Sequence, residues 1–84
     1  MNENTLDLKT VAQYKARYQR ELSPIFEMVD HQKTQFSKTE WLNFVKRVKD
    51  SILNSPAQYV TGVLPSRLIL ETVLNELFEE VLDS

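Results

Sequence analysis

The sequence predicts an all-α protein, a small bundle of three to four helices that we expect homodimerisation to complete. One glycine in 84 residues is far below the usual share. Glycine supplies the positive-φ positions of hairpins and phosphate-binding loops, so β-rich and nucleotide-binding folds are disfavoured. Apolar residues recur at helical spacing in long segments bounded by prolines at positions 24, 56 and 65. We expect one helical domain over residues 1–84.

Length and composition exclude several further classes. A chain of 84 residues is near the lower limit for a single hydrophobic core, and a second copy would help to stabilise it. The chain has no cysteine, which excludes disulfides, thiolate metal sites and thiol nucleophiles. No apolar run approaches the ~20 residues that span a bilayer, and the first residues lack the pattern of a secretory signal. The expected location is cytoplasmic.

The helix predicted over 66–82 carries the largest apolar surface in the chain. Burial of all its large apolar side chains would contribute on the order of 15–25 kcal/mol of gross transfer free energy. Its apolar stripe is wider than the roughly 100° that neighbouring helices cover. A second copy of the chain would cover the excess. The residues proposed to form this core or dimer stripe are Leu70, Leu74, Leu77, Phe78 and Val81.

A first helical segment is predicted over about residues 6–30, with Asn4 or Thr5 as its N-cap. Pro24 either kinks this helix or breaks it into two, with Ser23 as the cap of the second. The apolar spacing keeps its phase through Pro24, which favours one continuous, bent helix.

A second helix is predicted over 37–54 by the clearest local signal in the sequence. Ser37 and Glu40 have the spacing of a capping box, in which each side chain accepts from the other's backbone N–H. Phe36 and Trp41 stand at the two positions of a hydrophobic staple around this box. We therefore expect a firm helix start at Ser37.

The prolines of segment 55–65 predict a loop, but the segment is too apolar to be left in water. Two interpretations remain open. The loop either folds over the open end of the bundle or binds a partner, as loops on rigid scaffolds often do. The residues predicted to bind a partner lie in this loop and on the first helix: Tyr14, Arg17, Tyr18, Tyr59, Val60 and Val63. The alternative for Tyr14 and Tyr18 is a place in the core.

The sequence gives no sign of catalysis, of a bound cofactor or of a metal site. Glu27 and His31 share a helix face, but two side chains do not make a tight metal site. Paired acids such as Glu79 and Glu80 lie on the polar face of an amphipathic helix, where solvation is their ordinary role. No nucleophile or phosphate-loop motif is present. The chain is expected not to be an enzyme.

A protein partner and a second copy of the chain are the expected ligands, in the role of a small regulatory or adaptor protein. Residues 1–50 carry nine Lys/Arg and seven Asp/Glu, whereas residues 51–84 carry one and five. An acidic polar face on the most apolar helix disfavours an anionic membrane. The alternative function is nucleic-acid binding through the basic side of helix 37–54. That side comprises Lys38, Lys46, Arg47 and Lys49. Trp41 and Phe44 would stack on bases only if exposed, and their helical phase predicts core positions instead.

Overall fold

The computed structural model describes residues 7–83, and within that range the chain is all-helical, as predicted. It forms an elongated body of 47 × 21 × 20 Å. No helix in the described range is long and apolar enough to cross a membrane. The helices are α1 (Leu8–Glu21), α2 (Ser23–Gln32), α3 (Lys38–Asn54) and α4 (Arg67–Asp83), with a 3-10 turn at Pro56–Gln58.

The preference for one continuous helix before position 33 is wrong, because α1 and α2 are separate helices that meet at Leu22. Leu22 has φ −93° and ψ 4°, outside the helical region, and ends α1 with a hydrogen bond from its N–H to Tyr18 O. Pro24 stands in the first turn of α2, where a missing N–H costs nothing. Leu22 itself is fully buried, so the break does not interrupt the apolar stripe.

Asp7 is the N-cap of α1, and its carboxylate accepts from Lys9 N and Thr10 Oγ1. These two hydrogen bonds lower the pKa of Asp7, and the one from the Thr10 hydroxyl has the larger effect. The caps predicted at Asn4 and Thr5 lie outside the described residues.

The capping box of α3 is present as predicted. Ser37 Oγ accepts from Glu40 N at 3.2 Å, and Ser37 N donates to Glu40 Oε1 at 3.0 Å. The Phe36 ring packs against Phe44, with ring centroids 5.5 Å apart. Trp41 lies in the core, as its helical phase predicts, and donates from Nε1 to Val29 O at 2.8 Å. This hydrogen bond fixes α3 against α2.

The core is centred on α4, which provides five of the buried side chains: Leu70, Val73, Leu74, Leu77 and Phe78. Ser66 caps this helix, since its Oγ accepts from Ile69 N. On one flank, Lys15 of α1 bridges Glu76 and Glu80. On the other flank, the start of α3 lies beside the end of α4, where Leu42 and Leu82 line the same hollows. The fold therefore leaves α4 with one flank against α1 and another against α3.

Candidate interaction surfaces

The segment 59–66, here called the strap, runs along the side of α1 and does not simply close the end of the bundle. Val60 is buried and anchors the strap in the core. Three residues later the chain is at the surface, where Val63 is 81% exposed. Of the two interpretations left open for this loop, packing over the bundle therefore holds for Val60 but not for Val63. The structure also removes Val60 from the candidate partner surface, because its side chain is buried.

Three side chains on successive turns of α1 hold the strap by hydrogen bonds. Glu21 Oε1 accepts from Thr61 N at 2.8 Å and from Thr61 Oγ1 at 3.0 Å. Arg17 Nη2 donates to Thr61 O at 2.8 Å, and Tyr14 OH donates to Val63 O at 3.3 Å. The exposed Val63 is therefore presented on a backbone that hydrogen bonds hold at Thr61 and at the Val63 carbonyl.

The electrostatics of this contact favour the ionised forms of Glu21 and Arg17. The Thr61 backbone N–H, and then Arg17, lower the pKa of Glu21. The hydrogen bond to Glu21 likewise raises the pKa of Arg17. Because Arg17 Nε lies 2.7 Å from Glu21 Oε2, the pair adds no net charge to this surface.

Tyr18 is a core residue, and its place in the predicted partner surface is corrected. Its side chain is fully buried, and its ring packs against Tyr14 with centroids 5.5 Å apart. Burial is the main reason that the pKa of the Tyr18 phenol is raised, and the neighbouring Tyr14 raises it further. No group in residues 7–83 forms a hydrogen bond with its hydroxyl. Of the six predicted residues, those left on the surface are Tyr14, Arg17, Tyr59 and Val63.

The stripe predicted on the last helix is mostly internal. Leu70, Leu74, Leu77 and Phe78 are at most 4% exposed, and Val81 is half-buried. The excess apolar surface of α4 lies elsewhere, at Leu68 and Leu82, which are 46% and 40% exposed.

A groove between α3 and α4, the basic groove, was not predicted from the sequence. It consists of two adjoining hollows of about 250 and 360 Å³ that share Leu42 and Leu82. The first is also lined by Val45, Lys46, Lys49 and Phe78, and the second by Lys33, Lys38 and Trp41. Lys33 Nζ lies 5.1 Å from the centre of the Trp41 ring, a cation–π distance.

On the opposite side of α4, a groove against α1 and α2 has the opposite charge. This acidic groove has an apolar floor that includes Phe26, Leu77 and Val81, and Phe26 meets Phe78 edge-on at 5.2 Å. Glu27, Asp30 and Glu80 line it, together with Gln19 and Ser23. Glu80 is engaged by Lys15 at 3.1 Å.

The residues considered for nucleic-acid binding do not form one surface. Trp41 is 4% exposed and Phe44 packs on Phe36, so neither ring is free to stack on a base. Arg47 does not line the basic groove but a neighbouring hollow, which Lys46, Glu40 and Asp50 also line. Lys38, Lys46 and Lys49 remain together in the basic groove.

Glu27 and His31 have no third metal ligand near them among the described residues. Among residues 7–83, no three side chains of the types His, Cys, Asp and Glu are placed to hold a metal ion. Glu27 lies in the acidic groove, and His31 is in the last turn of α2.

One signal for the basic groove was present in the sequence. Lys38, Leu42 and Lys46 follow one another at four-residue spacing and therefore share a helix face. Nothing local in the sequence indicates that Leu82, forty residues later, completes that face. Compared with protein-family profiles, curated proteins and solved structures, the chain matches none.

Proposed function

We propose that this chain is a non-enzymatic protein–protein interaction module, a small regulatory or adaptor protein that acts as a homodimer. The observation that supports it best is the strap, which holds the 81% exposed Val63 on a hydrogen-bonded backbone. A backbone that is already held in place loses little conformational freedom on binding, and preorganisation of this kind favours association.

The strap surface is suited to self-association in its charge as well as its exposure. A two-fold interface places each patch against its own copy, so a charged patch repels itself. Arg17 and Glu21 neutralise each other beside Val63. Further exposed apolar side chains stand in the first turns of two helices, at Leu8 of α1 and Leu68 of α4.

The test is the molar mass in solution, measured by light scattering over a concentration series. We expect a dimer for the wild type and a shift to monomer for Val63→Glu, because the substitution places two carboxylates against each other. Met28→Glu is the matched control, since Met28 is an exposed apolar residue on α2, away from the strap. It should leave the dimer intact.

Two results contradict the proposal. One is a wild-type protein that stays monomeric throughout the series. The other is a dimer that Val63→Glu and Met28→Glu leave equally intact, which would place the interface elsewhere. Circular dichroism of both variants checks that their helical content is unchanged.

A further inference from the structure

The basic groove combines an open apolar floor with a rim of a single charge. Within the part of the chain that the structure describes, every charged side chain lining its two hollows is a lysine. Lys38, Lys46 and Lys49 form no ion pair with any residue in 7–83. Leu42 and Leu82 on the floor are 41% and 40% exposed. The exposed floor residues and the ammonium groups of Lys38, Lys46 and Lys49 are therefore open to a complementary partner within the described part of the chain.

We infer that this groove is the docking site for an acidic amphipathic helix of another protein. A helix laid between α3 and α4 would place one apolar side chain in each hollow, from positions one turn apart. Because all three lysines belong to α3, the Asp and Glu side chains of the bound helix on the α3 side would face Lys38 in one hollow and Lys46 and Lys49 in the other. Complementary charge of this kind speeds association and fixes the orientation of the bound helix.

The charge pattern also argues against other occupants. A second copy of the chain docked symmetrically through this groove would place lysines against lysines. A membrane or a nucleic acid presents a broad anionic surface, which would also meet the exposed Glu79 and Asp83 beside Leu82 on α4. Neither carboxylate lines the two hollows, so a narrow helix seated in them need not cover Glu79 or Asp83.

The probe is a designed, tryptophan-free peptide of about 15 residues, or roughly four helical turns. Leucines at four-residue spacing form one face, and glutamates flank them. Trp41, the only tryptophan of the chain, lines the groove and reports binding through its fluorescence. The comparison peptide has the same composition in scrambled order, so its charge is identical and its apolar face is lost.

We expect saturable binding of the amphipathic peptide that weakens as salt is raised. Lys46→Glu with Lys49→Glu should weaken it at least about tenfold, since two attractive contacts become repulsive. The matched control is Lys9→Glu with Arg20→Glu, which makes the same charge change at two exposed positions on α1. It should bind as the wild type does.

Several outcomes overturn the inference. The scrambled peptide binding as tightly would show attraction by charge alone. Equal weakening by both double variants would mean that the peptide responds to net charge and not to the groove. Tighter binding of single-stranded DNA or of phosphatidylserine vesicles, lost in Lys46→Glu with Lys49→Glu, would assign the groove to a polyanion. The homodimer is tested separately, because that experiment changes Val63 and measures molar mass.

Discussion

The guanidinium of Arg17 fills the space in which a Cβ on Gly62 would lie. Gly62 has a φ of +83°, so the backbone conformation and the contact both favour glycine at this position. This close approach allows Arg17 to donate to Thr61 O while it pairs with Glu21. The single glycine of the chain is therefore part of the device that fixes the strap to α1.

Gly62→Ala should lower the free energy of unfolding by about 1–2 kcal/mol through the positive φ alone. The added methyl group should also displace Arg17 from Thr61, which increases the loss. In an Arg17→Ala background only the backbone cost remains, so the same substitution should be milder there. Chemical denaturation of the four proteins measures this coupling. An equal cost in both backgrounds would show that the guanidinium simply moves aside.

Acid should weaken the attachment of the strap because the pKa of Glu21 is lowered in the folded protein. Such a carboxylate stabilises the fold at pH values above its ordinary pKa of 4.5. That stabilisation is lost as the pH falls from there through the lowered value. Glu21→Gln should therefore be clearly less stable than the wild type at about pH 7, with a smaller difference at about pH 3.

The control for this titration is Glu79→Gln. The Glu79 side chain is exposed and makes no hydrogen bond or ion pair within the described residues. Its substitution should therefore leave the pH dependence of unfolding unchanged. Asp7 and Glu40, whose pKa values are also lowered, remain in every protein compared, so their contributions cancel. A Glu21→Gln deficit that is constant with pH would exclude the titration as its cause.

The parts of this fold that sequence predicts are those set by local chemistry. The α3 start follows from Ser37 and Glu40, which lie three residues apart and need no tertiary partner. The break at Leu22 is the less favoured of the two sequence-based alternatives, because a buried residue at the junction keeps the apolar phase that a continuous helix would have. Periodicity alone therefore did not distinguish a bend from a break.

The surfaces were harder to predict because they depend on distant residues. Tyr18 and Val63 are both apolar enough to be core or contact residues, and only packing places the first inside and the second outside. The basic groove needs Leu42 and Leu82 to meet across two helices. A pattern within one helix reports the spacing of its own residues but not what lies opposite them.

Ser37→Ala should destabilise the protein by about 0.5–2 kcal/mol, because it removes the acceptor for the Glu40 N–H. The pKa of Glu40, which the Ser37 backbone N–H lowers, should rise toward its ordinary value as the helix start loosens. Thr39→Ala is the control, since Thr39 is exposed in the same helical turn and its hydroxyl forms no hydrogen bond in the described range. Thermal unfolding that is the same for both variants would contradict a stabilising role for this capping box.

Tyr18→Phe should leave stability unchanged or raise it, by up to about 1–3 kcal/mol. The Tyr18 hydroxyl is buried without a hydrogen-bond partner in residues 7–83, so its removal relieves a desolvation cost and keeps the ring. Tyr14→Phe is the matched comparison, because the Tyr14 hydroxyl donates to Val63 O. That substitution should be neutral or destabilising. Urea denaturation of both variants checks the prediction, and a clear loss for Tyr18→Phe would mean that the hydroxyl does have a partner.

Leu77→Ala and Leu82→Ala should separate the structural and binding faces of α4. Leu77 is 2% exposed, and its truncation should cost about 2–5 kcal/mol through lost burial and the cavity left behind. Leu82 is 40% exposed, so its truncation should change the free energy of unfolding by only about 0.5 kcal/mol. The same Leu82→Ala protein should bind the acidic amphipathic peptide more weakly, because Leu82 lines both hollows of the basic groove. Denaturation and Trp41 fluorescence titration measure the two effects on one sample. Unimpaired peptide binding by Leu82→Ala would show that the peptide does not occupy this groove.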